Sequence, residues 1–334
     1  MKNDTVTTLA ASMGVSKATV SRALNHCGGV DSETRERILA AAGDTQVPDC
    51  AIYSLLPDTP GFFWQEMRRG LGEHEDPLYP MKCSVYTRLR DDYAVCAYLR
   101  ESVRARVLLV SASVTPPIRD ILTSLLPGRF VLLLSEDDGV LTNGFYIGSD
   151  AAADGYAMGV VYVRRLRNHV PYLLTLSPGV NRNVDLRAAG FSRYLAEAGL
   201  PLPRRVEIPS AFLTPAKTFP ARMASLLTEY FTVNANASDD RPCVLYTAFG
   251  YAHLPLAVEK VRYPDGKRLS ARCVVLCHDV PLIDGKLPDG VFAACNQDVY
   301  TEGTLAMEAA HQYLRCSQYP PQKRIYVPST IVEQ

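Results

Sequence analysis

No apolar run reaches the length of a membrane span, and the opening Met1-Lys2-Asn3-Asp4 has no signal-peptide core. A cytoplasmic chain with no membrane partner is therefore expected. The nine cysteines are odd in number and include no C-x-x-C pair. Several, such as Cys83, Cys96, Cys243 and Cys273, stand in apolar contexts, so reduced buried thiols are expected rather than a disulfide or metal framework. No P-loop, H-E-x-x-H or G-x-S-x-G occurs, which removes the common signatures of phosphoryl transfer, zinc proteolysis and serine hydrolysis. Cys277-His278-Asp279 reads like a catalytic trio, but neighbours on a strand point to opposite faces and cannot converge. The expectation is a protein that is not an enzyme, with no cofactor and no resident metal.

What is present is concentrated first in Val15 to Asn25, V-S-K-A-T-V-S-R-A-L-N. Val15, Val20 and Leu24, with Ala18 and Ala23, give a helical apolar stripe, while Ser16, Lys17, Thr19, Ser21, Arg22 and Asn25 crowd the other side without a single acid. Upstream, Thr5 is expected to cap a short helix burying Val6, Leu9, Ala10 and Met13, and Gly14 breaks it. Downstream, Asp31 caps a third helix with Thr34 at the reciprocal position and Ile38, Leu39 and Ala42 facing inward. Two short helices around a glycine turn, braced by a third, predict a helix-turn-helix.

Such a unit reads DNA by bringing a few side chains to base edges and many to phosphates. Lys17, Ala18 and Arg22 are the candidates for base reading: a cation addresses guanine acceptors, and a methyl packs on thymine. Ser16, Thr19, Ser21 and Asn25 offer short neutral donors suited to phosphate oxygens. Thr5 and Thr34, at expected helix starts, add backbone-assisted phosphate contacts, and Arg35 is expected to hold phosphate irrespective of sequence. Through Val47, five cations (Lys2, Lys17, Arg22, Arg35, Arg37) meet five anions (Asp4, Asp31, Glu33, Glu36, Asp44), so one unit alone should hold DNA weakly. Two copies, a helical turn apart on a dimer, are needed for useful affinity.

The string Gly14-Val15-Ser16-Lys17-Ala18-Thr19-Val20-Ser21-Arg22-Ala23-Leu24-Asn25, with Leu9-Ala10, Val30 and Glu33 to Ile38, resembles the headpiece of the lactose-repressor (LacI/GalR) family of transcription regulators. The resemblance implies a dimeric repressor on a pseudo-palindromic double-stranded operator. It also implies an α/β core of two Rossmann-like lobes, of the periplasmic-binding-protein type I kind, holding a small-molecule effector. Residues 1–49 would form the headpiece and linker, and 50–334 the core. Lobe 1 is expected at about 50–167 and 281–315, lobe 2 at about 168–280 and 316–334. Gly43 to Cys50 leaves no room for the family's hinge helix, which puts minor-groove wedging in doubt.

The rest of the chain alternates strand and helix as a parallel sheet demands. Strands are expected at Ala51–Leu56, Met81–Tyr86, Val107–Ser111, Phe130–Leu134, Phe145–Gly148, Tyr172–Leu176, Val206–Ile208, Cys243–Thr247, Cys273–Cys277 and Val291–Ala294, with a closing strand at Ile325–Pro328. Thr232 to Arg241 reads as a mobile surface loop. Family motifs continue in Asp150 with Gly155, in Leu186 to Phe191, and in Gln297 with Tyr300, Gly303 and Ala306. Ligands in open α/β sheets lie at carboxyl ends of strands, which gathers Asp58, Phe62, Phe63, Trp64, Arg187, His278 and Gln297 around one effector. His278 stands where the family carries an effector-binding aspartate, and Phe249 to Pro255 lacks another. With Arg187, those losses point away from a plain neutral sugar and toward an anionic metabolite, or toward a core that binds no effector and serves dimerisation or protein contacts.

Overall fold

The computed structural model describes residues 2–24, 30–41, 51–57, 61–86, 92–102, 105–112, 114–136, 144–209, 218–233, 241–250, 254–262 and 266–334. Three helices come first: α1 (Lys2–Met13), α2 (Lys17–Leu24) and α3 (Ser32–Ala41). Gly14 takes φ 68°, a left-handed turn that a side chain resists, and the Val15 N–H closes it on the Ala10 carbonyl at 3.1 Å. Ser16 then caps α2, its hydroxyl accepting the Thr19 N–H at 2.9 Å. Asp31 caps α3 through the Thr34 N–H at 2.8 Å, and that bond lowers the Asp31 pKa. Leu9, Ala10, Val20, Ala23 and Ile38 close a small core, flanked by Val6, Met13, Val15 and Val30.

Two six-stranded sheets follow. The first joins β1 (Ile52–Pro57), β2 (Met81–Tyr86), β3 (Val107–Val110), β4 (Phe130–Leu134), β5 (Phe145–Gly148) and β11 (Arg324–Tyr326) in the order β11-β5-β4-β3-β1-β2, all parallel. The second joins β6 (Val170–Leu176), β7 (Arg204–Ile208), β8 (Cys243–Thr247), β9 (Cys273–His278), β10 (Val291–Asn296) and β12 (Thr330–Glu333) in the order β12-β10-β9-β8-β6-β7. Only the β10–β12 pair is antiparallel. β1, β3, β4 and β8 are buried at every residue, as strands covered on both faces must be. The covering helices are α4 (Phe62–Gly72), α5 (Asp92–Glu101), α6 (Pro116–Leu125), α7 (Ala151–Arg165), α8 (Arg182–Glu197), α9 (Phe219–Val233), α10 (Leu254–Lys260) and α11 (Val299–Cys316).

Strand order corrects the expected division into lobes. Val291–Asn296 belongs to the second sheet and Arg324–Tyr326 to the first, because the chain crosses between lobes after β5, after β10 and again between β11 and β12. α7 packs on α8 and β10, so it belongs to the second lobe too. α9 and β12 were not anticipated, and α9 takes in Thr232 and Val233, the start of the expected surface loop; 234–240 lie outside the described residues, as do 42–50 where the hinge was judged missing.

The α7–α8 contact depends on Gly155. A Cβ there would sit 2.0 Å from the Arg187 carbonyl oxygen and 2.6 Å from its Cα, so the two backbones would have to separate. Gly155→Ala is expected to destabilise the protein by about 1–3 kcal/mol in denaturant unfolding. An unchanged midpoint would contradict this packing.

Candidate nucleic-acid interface and interlobe site

α2 presents K-A-T-V-S-R-A-L with no acid in its first turn. Val20 and Ala23 are inside, whereas Ser16, Lys17, Ala18 and Arg22 are exposed and Thr19 and Ser21 half-buried. The base-reading candidates therefore stand on the solvent side. Ser16 and Thr19 bond each other through their hydroxyls at 2.8 Å, which fixes the N-terminal corner of the helix.

Other headpiece expectations change. Thr5 lies within α1 and not at its cap, because the polar run Lys2 to Thr5 is already helical. Thr34 is half-buried, and Asp31 takes both its N–H and its hydroxyl, which turns the residue from phosphate contact to capping. Arg35 is 9% exposed, so helical register turns it inward and away from a phosphate role, while Arg37 is exposed. Asn25 lies outside the described residues.

In the core, Asp58 also lies outside the described residues. Of the aromatic cluster opening α4, Phe62 is 40% exposed, while Phe63 and Trp64 are half-buried edge to face at 4.7 Å and pack on the first-lobe core. Arg68 ties the helix to the strand before it, donating to the Pro57 carbonyl at 2.6 Å.

Arg187 is buried near the start of α8, donating from Nη1 to the Ala248 carbonyl at 3.3 Å. Burial works to lower its pKa, but the carboxylates of Asp279 and Asp154 outweigh it and the net shift is upward. Asp279, at φ 57° just after β9, is pushed up by burial against the pull of Arg187 and two bonds from Gln297. Those bonds are Gln297 N–H to Oδ1 at 3.2 Å and Nε2 to Oδ2 at 2.8 Å. The Gln297 Oε1 accepts from Ser149 Oγ at 2.7 Å, so this amide links the end of the first sheet to the end of the second.

His278 is a correction. β9 runs one residue further than anticipated, so His278 is strand, paired with Cys295, and fully buried instead of lining a loop. Its Nε2 lies 2.8 Å from the Tyr246 hydroxyl, and burial followed by Arg187 holds its pKa well down, leaving a neutral ring. Asp154, His278 and Cys295 bring one potential ligand atom each to within 4.8 Å of one another.

Several polar residues at the lobe junction were not anticipated. Asn181 caps α8 and donates from Nδ2 to Glu136 Oε1 across the junction at 3.0 Å. Asn183 donates to the Ser135 carbonyl, and Ser135 Oγ donates to Glu302 Oε2. Glu302, in the first turn of α11, is fully buried, and desolvation pushes it up to about 8. Neither Asn181 nor Glu302 belongs to a motif that declares its role; only the proximity of Asn181 to R-x-x-G-F offered a signal.

Among the described residues no helix is long and apolar enough to cross a membrane. Residues 5–45 match the family described as bacterial regulatory proteins, lacI family. No curated protein matches the chain. Among solved structures, an ABC transporter solute-binding protein from Burkholderia graminis in complex with D-arabinose is similar at 17% identity and TM-score 0.68, covering 87% of this chain and 97% of its own. A LacI-family transcriptional regulator from Silicibacter pomeroyi is similar at 18% identity and TM-score 0.65, covering 98% of this chain and 97% of its own. The transcriptional regulator CelR, in complex with cellobiose, is similar at 16% identity and TM-score 0.61, with 98% of each chain covered. Residues 5–45 thus form a headpiece of the lacI regulatory type with an acid-free outward helix, set before two lobes that share the fold of the solute-binding proteins.

Proposed function

We propose that the protein is a sequence-specific transcription repressor that binds a pseudo-palindromic operator as a homodimer. The observation that carries this is the outward face of α2, with Lys17, Ala18 and Arg22 exposed around a buried Val20–Ala23 stripe. Base choice falls to those three residues, and phosphate contact to Ser16, Thr19, Ser21 and Asn25. A balanced headpiece charge makes the second copy necessary for affinity, with half-sites a helical turn apart. Arg22→Ala is expected to cost about 1–3 kcal/mol, roughly 10- to 100-fold, on the preferred sequence in fluorescence-anisotropy titrations, with affinity for unrelated DNA nearly unchanged. Equal selectivity in the variant and the parent would refute the assignment.

A small molecule between the lobes would bias their closure and hence the spacing of the paired headpieces, to the extent that it binds one state better. Phe62, Phe63, Trp64, Arg187 and Gln297 are its proposed contacts. Because Asp279 and Asp154 already face Arg187, a neutral hydroxylated ligand suits the site better than an anion, and two of the similar proteins hold sugars. The second reading, a core without an effector, is favoured by the Asn181–Glu136 bond and the saturated Gln297 amide, which leave these groups satisfied by each other. Emission from Trp64, the chain's single tryptophan, separates the two. A monosaccharide and disaccharide panel that shifts it supports the effector; a panel that moves neither emission nor melting temperature supports the second reading.

A further inference from the structure

We propose that Asp154, His278 and Cys295 form a binding site for a zinc-like divalent cation, away from the DNA-reading face and adjoining Arg187 of the proposed effector contacts. His278 and Cys295 are register partners on adjacent parallel strands, which puts their side chains on one face of the second sheet. α7 packs on β10 and supplies Asp154 from its first turn. All three residues are at least nine-tenths buried, and their ligand atoms already lie within 4.8 Å of one another. For bonds of about 2.0–2.3 Å, roughly half an ångström to an ångström of inward movement by each group brings them onto one ion.

Two further observations point to a ligand here. The Asp154 Oδ2 is buried without a hydrogen-bond partner, a state that costs free energy unless something occupies it. The Nε2 of His278 is within 2.8 Å of the Tyr246 hydroxyl, and Tyr246 is itself stacked on Phe191 at 4.4 Å between ring centroids. An outer hydrogen bond that fixes the ring in this way is the arrangement that prepares a histidine to ligate.

Two carboxyl groups, Asp154 and Asp279, face the single guanidinium of Arg187, which suits the place to a cation. When a divalent ion binds, the Cys295 S–H bond breaks, a sulfur–metal bond forms and the proton passes to solvent. Thiolate, imidazole and carboxylate together select zinc over magnesium or calcium, and three protein ligands leave the fourth tetrahedral position open.

The test uses the full chain, stripped with chelator, in a background where Cys83 and Cys316, the exposed thiols among the described residues, and also Cys27 and Cys50 are serine. Cobalt(II) is the probe, and zinc(II) the competitor. The expected result is one ion per chain, a thiolate-to-cobalt charge-transfer band with tetrahedral d–d absorption, displacement by zinc, and one proton released per ion. Cys295→Ser should abolish the charge-transfer band, and Asp154→Asn, close to isosteric, should weaken binding about 100-fold or more. Tyr246→Phe should weaken it about 10- to 100-fold. Cys277→Ser, altering a thiol on the opposite face of β9, should leave it intact. Thermal melts of the metal-free variants establish that each is folded, and Asp154→Asn carries the test if Cys295→Ser is not. Absence of the band in the parent, or a band and affinity unaltered by both Cys295→Ser and Asp154→Asn, would overturn the site.

Discussion

Arg187→Ala is expected to reduce the free energy of unfolding by about 3–5 kcal/mol at pH 8, because it leaves the buried Asp154 and the half-buried Asp279 without their cation. The pair at risk is Asp279, just past β9, and Asp154, on the first turn of α7. Asp279 already has its pKa raised by burial, so removing Arg187 raises it further. A carboxyl with a raised folded-state pKa gives stability that is full at low pH and lost as pH rises through that value. The deficit of Arg187→Ala should therefore shrink on going from pH 8 to pH 5, where protonation replaces the missing cation. Guanidinium unfolding at the two pH values measures it. A variant as stable as the parent at pH 8 would mean that Arg187 does not serve these carboxylates.

The second large effect concerns Glu302. Burial holds its carboxyl up at about 8, against an ordinary value of 4.5, so the folded state keeps a proton that the unfolded chain has released throughout that interval. The contribution of Glu302 should therefore fall by about 1.4 kcal/mol per pH unit between about 4.5 and 8, on the order of 5 kcal/mol across the window. Glu302→Gln removes that slope. Its amide meets the same unpartnered Oε1 environment, which adds a penalty of about 1–3 kcal/mol at every pH. The gap between parent and variant should thus close about one to two pH units above 4.5, and from there to pH 8 the variant becomes increasingly the more stable. Parallel stability curves would contradict a buried, protonated Glu302. Since Glu302 holds Ser135, whose carbonyl takes Asn183 from the other lobe, the same protonation bears on how firmly the lobes are joined.

The headpiece was legible because its signals are local. A glycine turn, the Asp31 cap and a stripe of Val20 and Ala23 all fall within a few residues of one another and appear where the pattern put them, whereas the cap expected at Thr5 lies inside α1. Strand positions were legible for the same reason: runs such as Val107–Val110 and Cys243–Thr247 are apolar because both faces are covered. Lobe membership was not, because it depends on where the chain crosses. The short strands 324–326 and 330–333 are four residues apart yet complete different sheets.

The interlobe site was legible only in part, and for a related reason. Ser135 and Glu302 are separated by 167 residues, and Ser149 and Gln297 by 148, so no local spacing announces either pair. His278 was misplaced by a single residue of strand length. Period-two alternation turns that small error into the difference between a cleft and the interior.

The central claim is that α2 is held outward so that two copies read one duplex. Selection of bound fragments from random double-stranded DNA by the full-length chain tests it most directly. The account predicts an enriched consensus with two-fold-related halves about one helical turn apart, lost when Lys17 and Arg22 are both replaced by alanine. An unenriched pool, or a consensus that survives that double substitution, would contradict it.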